Sequence, residues 1–292
     1  MFAPGLLKGK RILVTGGGTG LGREIAAKYL ELGAELHICG RRKAVLEQTA
    51  KELVSAHGGS VKCHAADIRD PAAVDAMVQA IWDEGGPLAG LVNNAAGNFI
   101  SRTEDLSPRG FDAIANIVLH GSFYVTHAVG KRWIAGGHKG CVISIVVTWV
   151  WSGSPFVVPS AMSKAGVHVM TQSLAVEWGR HGIRLNAIAP GIFPTEGAGK
   201  RLAPGRDFRD EAVAVNPMGR TGKMQELQNL AAFLMADGAE FLTGQTIAID
   251  GGANLVNGGS FNELFKWTDA DWARAREAIR AQNEKDKSQR SV

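Results

Sequence analysis

The sequence predicts an α/β fold, a doubly wound sheet of parallel strands in a single domain. Three observations predict it. Strand and helix patterns alternate from residue 11 onward, a glycine-rich turn joins the first strand to the first helix, and the composition is that of a chain with a large core. Of 292 residues, 45% are apolar and 21% charged, which suits one globular domain of this size. The 37 glycines against 10 prolines point to many tight turns between regular elements rather than to disorder.

The elements follow in order. Residues 11–17 (RILVTGG) form a short β-rich run closed by glycine, and 22–33 (GREIAAKYLELG) place Ile25, Ala26, Tyr29 and Leu30 at helical spacing before Gly33. A second strand covers 34–40 and a second helix 43–59, ending in Gly58 and Gly59. A strand at 61–67, a helix near 71–84 and a strand within 88–97 continue the alternation, and 140–149, 183–191 and 245–252 supply later strands. A β-α-β-α order implies parallel strands with helices on both faces. The pattern changes after Gly252, so the catalytic domain is expected over 1–255 and a helical extension over 256–292. Within that extension 267–287 reads as a terminal helix with Thr268 or Asp269 as N-cap, solvated or in an oligomer contact.

Composition also excludes classes of function. A net charge of +4, from 32 basic and 28 acidic residues, is too slight for a nucleic-acid binder, though it leaves room for a basic phosphate pocket. Cys39, Cys63 and Cys141 are odd in number and widely spaced, which argues against a disulfide framework or a zinc site. His127, His168 and His181 have no partner at metal-ligand spacing, so no metal is expected. The longest apolar run, CVISIVVTWVW, is about half of what a membrane helix needs. The first ten residues carry no signal-peptide core, and a cytoplasmic protein is expected.

The turn TGGGTGLGRE (15–24) carries Gly16, Gly20 and Gly22 at the spacing G-x-x-x-G-x-G. Positions without side chains let the backbone turn tightly and approach a pyrophosphate, which then faces helix N–H groups. Gly16, Gly17, Gly18, Thr19, Gly20 and Leu21 are therefore the expected dinucleotide contacts. The end of the second strand selects the dinucleotide. An NAD site wants a carboxylate there for the ribose 2′-hydroxyl, whereas this chain has Arg41 and Arg42 after Gly40. Arginine grips a 2′-phosphate that a carboxylate would repel, and the cofactor expected is NADPH.

These residues resemble the short-chain dehydrogenase/reductase family over about residues 8–255. The resemblance rests on TGGGTGLG, NNAAG (93–97), Lys164 before AGV, and APGIFPT (189–195), in the family's order and spacing. It implies a Rossmann-type fold and a homotetramer. It implies that Asp67 and Ile68 lie by the adenine, that Asn94 and Ala95 line the cofactor, and that Pro190, Gly191, Ile192 and Thr195 hold the nicotinamide amide. It also implies that Lys164 hydrogen-bonds the nicotinamide ribose.

Two of the family's usual catalytic groups are absent. The tyrosine position holds Ser160, and the serine position, 13 residues earlier, holds Val147. A serine hydroxyl keeps its proton far more tightly than a phenol of pKa about 10, so ordinary alcohol–ketone interconversion is not expected. The segments NAAGNFIS (94–101), FVVPSAMSKAGV (156–167) and LAVEWG (174–179) resemble the 2,4-dienoyl-CoA reductase branch, whose animal mitochondrial form also carries a serine four residues before the lysine. That branch works with an asparagine, matched by Asn98, and a displaced tyrosine 11 residues before the serine; here that position is Trp149.

The resemblance therefore implies a reductase of conjugated double bonds in acyl-CoA thioesters, of the kind used in fatty-acid β-oxidation. Negative charge gathers on the thioester oxygen, where fixed donors lower the barrier. Asn98 can donate through its amide; Trp149 either donates through its indole N–H or packs as a wall of the acyl pocket. Ser160 either bonds the ribose or substrate or merely lines the pocket. Arg69 and Arg201 match coenzyme A contacts of the branch, and Phe99 and Ser107 match positions near the thioester and acyl chain. Residues 193–222, rich in Gly and Pro, read as a lid over the substrate. Two rivals stay open: an enoyl-CoA or carbonyl reductase using the same cleft, and an NADPH-binding sensor or scaffold without turnover.

Overall fold

The structure is a computed structural model of the chain that describes residues 1–195, 213–256, 264 and 266–290. Its centre is a seven-stranded sheet in which every neighbouring pair is parallel, in the order β3-β2-β1-β4-β5-β6-β7. The strands are β1 (Arg11–Thr15), β2 (Glu35–Gly40), β3 (Val61–Ala65), β4 (Gly90–Asn93), β5 (Gly140–Ile145), β6 (Ile183–Pro190) and β7 (Thr246–Ile249). Winding runs outward from β1 to β3, then restarts beside β1 with β4. The sheet thus reverses its winding between β1 and β4, and in such folds a crevice opens at the carboxyl ends of the strands at that point.

Helices α1 (Gly20–Glu31), α2 (Lys43–His57) and α3 (Pro71–Gly85) follow the first three strands, close to the sequence expectation. Asp70 caps α3, accepting from the N–H groups of Ala72 and Ala73, with Pro71 at the first helical position where a missing N–H does no harm. Between β4 and β5 lie α4 (Pro108–Ala115), a π-helical turn at Asn116–His120, and α5 (Gly121–Gly136). The short α6 (Trp149–Ser152) and long α7 (Val158–Trp178) separate β5 from β6, and α8 (Met224–Met235) precedes β7. Two apolar layers flank the sheet: one built on Ile12, Ile25, Tyr29 and Leu227, the other on Leu13, Ile81, Val125 and Trp133.

One strand expectation is corrected. Strand β5 stops at Ile145 instead of running to residue 149, and Trp149 opens α6. Residues 146–151 are nearly all β-branched or aromatic, so no change of period marks where the ladder ends. After the Val146 N–H has donated to the Ile188 carbonyl (2.8 Å), the chain coils: the carbonyls of Val147, Thr148 and Trp149 accept from Val150, Trp151 and Gly153.

By its internal contacts the chain divides into Met1–Gly252 and Ala253–Val292. The second unit holds α9 (Ala253–Val256) and α10 (Asp269–Arg290). Thr268 and Asp271 cap α10 reciprocally: the Asp271 N–H donates to the Thr268 hydroxyl (3.3 Å) and the Thr268 N–H to the Asp271 carboxylate (2.8 Å).

A buried polar cluster ties β1, β2 and β3 to the end of α3. The Arg11 guanidinium donates to the carbonyls of Ile81 and Gly86, closing the C-terminus of α3, and lies 3.1 Å from His37 Nε2. His37 Nδ1 meets His64 Nε2 at 3.0 Å with the rings stacked, and Glu35, Lys62 and Glu84 complete the cluster. Burial and the Arg11 charge push the His37 pKa down to about 4, against a slight opposing pull from Glu35. Between pH 6.5 and 4 only the unfolded chain takes up this proton, so stability is full above pH 6.5 and declines as pH falls through that window, by up to about 3 kcal/mol. Urea unfolding at a series of pH values is expected to show the decline; a flat profile would mean that native His37 takes up its proton as readily as the unfolded chain does.

Candidate active site

The carboxyl ends of β1, β2 and β4 converge on the glycine turn. The Gly16 N–H donates to the Cys39 carbonyl (2.8 Å), and the Thr15 hydroxyl accepts from the N–H groups of Asn94 and Ala95, both at 3.0 Å. The Asn94 side-chain amide donates to the Thr15 carbonyl (3.0 Å). A Cβ at Gly22 would lie 2.3 Å from that amide nitrogen, so the close approach of α1 to β4 demands glycine. Gly20 has φ +58° and faces open space, with nothing within 4 Å of where a Cβ would stand. Gly17 and Gly18 lie against Ile38 and Leu46, and Leu21 turns into the core. Thr19, at the N-cap of α1, makes no side-chain cap, so no side chain competes for the first N–H groups of the helix.

Arg41 and Arg42 follow Gly40 at the end of β2. Both are exposed, and neither has an ion pair among the described residues. Across the gap, Asp67 is gripped by Arg69, whose Nε lies 3.0 Å from both carboxylate oxygens and whose Nη2 lies 2.6 Å from Oδ2. That pairing, aided by Arg41, holds the Asp67 carboxyl below its ordinary range. The exposed Arg69 guanidinium is thus engaged on Asp67, two residues away. Ile68 is buried beneath Gly121, where a Cβ would come within 2.6 Å of its Cδ1.

Two of the expected catalytic residues lie on α7. Lys164 is buried, and its ammonium donates to the Ile145 carbonyl at the end of β5. Burial pulls its pKa down to about 8. Ser160, one turn earlier, is only 4% exposed, and its hydroxyl makes no hydrogen bond among the described residues. Helix α7 comes close to the π-helical turn, since a Cβ at Gly166 would lie 2.6 Å from Leu119 Cδ1. In that turn His120 Nδ1 and Asn116 Oδ1 are 2.8 Å apart. Turns of this kind often mark functional sites, yet no sequence signal singles out Asn116 or His120.

Asn98 is half-buried. Its Oδ1 accepts from the Phe99 N–H at 2.9 Å, which fixes the amide and leaves its NH₂ without a partner among the described residues. Trp149 is half-buried as the first residue of α6, and its indole N–H makes no hydrogen bond among the described residues. With Val150, Trp151, Val158, Ala161 and Met162 it lines an apolar cavity of about 310 Å³. Phe99 packs near Gly110 of α4. Ser107 is exposed, and its hydroxyl accepts from the Gly110 N–H (3.1 Å) as the N-cap of α4. That capping role is one that Ser-Pro before a helix already signals. Phe156 is the one residue other than glycine with positive φ among the described residues, at +63°, a conformation that costs a bulky side chain roughly 1–2 kcal/mol.

Beyond β6, the Gly191 N–H donates to the Ile249 carbonyl (3.0 Å) and the Ile192 carbonyl accepts from Gly222 (2.9 Å). A Cβ at Gly191 would lie 2.7 Å from Asp250 Cα, so the Pro190–Ile192 segment is pressed against the end of β7. Phe193 is buried against Gly222, while Thr195 is half-buried. Arg201 and the central part of the expected lid, 196–212, lie outside the described residues. Among the described residues no cluster of side chains could hold a metal, and no helix is long and apolar enough to cross a membrane.

Comparison with known proteins agrees with the fold. The sequence model described as enoyl-(acyl carrier protein) reductase matches residues 16–254. An uncharacterized oxidoreductase of Caenorhabditis elegans is 46% identical over 97% of this chain and 92% of its own length. A probable 2,4-dienoyl-CoA reductase of the same organism is 44% identical over 97% of this chain and 93% of its own. Among solved structures, a gluconate 5-dehydrogenase of Burkholderia cenocepacia in complex with NADP and tartrate superposes with a TM-score of 0.80 at 31% identity, over 85% of this chain and 96% of its own.

Proposed function

Because the chain belongs to the short-chain dehydrogenase/reductase family, we propose that it reduces conjugated double bonds in acyl-CoA thioesters with NADPH, as a 2,4-dienoyl-CoA reductase does. The observation that carries this reading is the buried Lys164 with Ser160 one turn before it on α7, in the tyrosine's place; an Asn98 amide whose NH₂ has no partner among the described residues supports it. Relatives named 2,4-dienoyl-CoA reductase support the same substrate class.

The residues present fit the cofactor. Open space at Gly20, the start of α1 without a side-chain cap, and the charges of Arg41 and Arg42, which have no ion pair among the described residues, suit a pyrophosphate and a 2′-phosphate. When bound, NADPH supplies a hydride to the far end of the conjugated system. Lys164, steadied by the Ile145 carbonyl, has two further N–H donors for the nicotinamide ribose. Asn98 donates to the thioester oxygen as charge gathers there, and Trp149 adds a second donor or walls the acyl chain. Neither side chain releases a proton, so the proton that returns the dienolate to a neutral enoyl thioester comes from water or from another group of the site. A cytoplasmic site of action, in fatty-acid β-oxidation, and a homotetrameric assembly complete the reading.

The test is to mix the protein with NADPH and a panel of 2,4-dienoyl-CoA and 2-enoyl-CoA esters, following the nicotinamide absorbance. Oxidation with dienoyl esters is expected, and Asn98→Ala is expected to lower kcat by roughly 30–1000-fold, the effect of losing one oxyanion donor, with little change in KM. A second reading, reduction of enoyl esters, is favoured by the bulk of Trp149 where the branch has tyrosine; oxidation with enoyl esters alone would select it. Tight NADPH binding without oxidation on any ester would leave a sensor instead.

A further inference from the structure

The two walls of the thioester site come from separate stretches of chain. Asn98 sits on the segment after β4, and Trp149 and Ser160 sit on α6 and the start of α7. Among the described residues one backbone hydrogen bond joins the stretches 94–106 and 149–160: the Ser101 N–H donates to the Phe156 carbonyl at 2.9 Å. The residue that offers this carbonyl is also the one non-glycine residue with positive φ among the described residues, +63°. Core packing does not account for its conformation, because Phe156 is 57% exposed, and Ile100, beside Ser101, is 44% exposed. A disfavoured backbone held in place without burial is a mark of a functional constraint.

We propose that Phe156 is a positioning residue of the acyl-thioester site: its left-handed backbone aims its carbonyl at the Ser101 N–H and so pins the Asn98 segment to the Trp149–Ser160 segment. The latch is a property of the backbone rather than of the ring. It fixes the separation of the two walls between which the thioester oxygen must lie, and it leaves the dinucleotide side, built on β1, β2 and β4, untouched. This inference rests on the acyl-CoA reading above.

Two substitutions separate backbone from ring. Asparagine tolerates the left-handed region, so Phe156→Asn keeps the latch and removes the ring. Proline fixes φ near −65°, so Phe156→Pro abolishes it. Phe156→Asn is expected to keep kcat for a dienoyl-CoA ester within about 3-fold, whereas Phe156→Pro is expected to lower it at least ~10-fold, with the KM for NADPH unchanged in both. Ser101→Pro removes the donor from the other side and is expected to match Phe156→Pro, which guards against misfolding of either variant, as do their thermal midpoints. Amide exchange at Ser101 reads the latch without substrate: slow in wild type and Phe156→Asn, fast in Phe156→Pro. Equal loss in Phe156→Asn and Phe156→Pro, a parallel rise in the KM for NADPH, or fast exchange of Ser101 in the wild type would each overturn the latch. A wild type silent on every acyl-CoA ester would overturn the substrate assignment instead, with Ser101 exchange still deciding whether the two segments are pinned.

Discussion

Replacing Lys164 with methionine is expected to lower kcat/KM for the acyl-CoA substrate by at least ~100-fold, equivalent to about 3 kcal/mol of transition-state stabilisation. Lys164 is a buried cation of the proposed site, and its anchor on the Ile145 carbonyl fixes where its remaining donors point. The same substitution has a signature in stability that a damaged fold would not produce. Burial lowers the lysine pKa from 10.5 to about 8. Between those values the unfolded chain holds the proton that the native state releases, so wild-type stability rises as pH climbs from about 8 to 10.5, and the cost of the buried charge is complete below pH 8. Methionine carries no such cost. The stability of Lys164→Met relative to wild type is therefore expected to be greatest below pH 8 and to shrink by up to about 3 kcal/mol by pH 10.5. The carbonyl of Ile145 is left without its donor in the variant, but that penalty is the same at every pH. Urea unfolding of both proteins without cofactor, at pH 7.5 and near pH 10, measures the difference. Abolished activity with a pH-independent difference would mean that the native ammonium stays hydrated.

The alternation of strand and helix, the glycine turn and the arginines after β2 are legible because each is a local rule. Gly22 is an example: its need follows from a strand–turn–helix pattern that the sequence displays, and the structure adds only that Asn94 is the neighbour a side chain would strike. The departures have equally physical causes. Trp149 reads as part of a strand because 146–151 has no periodicity to mark the end of β5, and where β5 ends depends on the register with β6, a long-range property. Arg69 enters the sequence reading only as a match to a coenzyme A contact, and its ion pair is added by the folded chain, where a bend returns it to Asp67. The π-helical turn at Asn116–His120 breaks no composition rule, and the left-handed Phe156 runs against the preference of its residue type, so neither can be read from propensity. Sites in sequence are therefore clearest where the backbone must be bare, and least clear where tertiary contacts override a local preference.

The arginines at the end of β2 carry the second large expectation. The double substitution Arg41→Ala with Arg42→Ala is expected to raise the KM for NADPH roughly 100-fold and to leave the KM for NADH nearly unchanged, at about 10-fold for each charge-assisted hydrogen bond removed. Both side chains are exposed and neither is held by a carboxylate among the described residues, so their charge is available to a ligand. Gly40 before them has no side chain to block an approach along β2, and the carboxylate of Asp67 is occupied by Arg69. That pairing also matters for the choice of dinucleotide, because a free Asp67 would set a negative charge opposite a 2′-phosphate; Arg69→Ala on its own is therefore expected to weaken NADPH more than NADH. Salt provides an independent check. In the wild type the KM for NADPH is expected to climb with ionic strength, since the arginines lie at the surface and are screened within about 8–10 Å at physiological salt. In the double variant that salt dependence is expected to flatten. Equal weakening of NADPH and NADH would place Arg41 and Arg42 outside the 2′-phosphate site, and the dinucleotide preference would then rest on another cation.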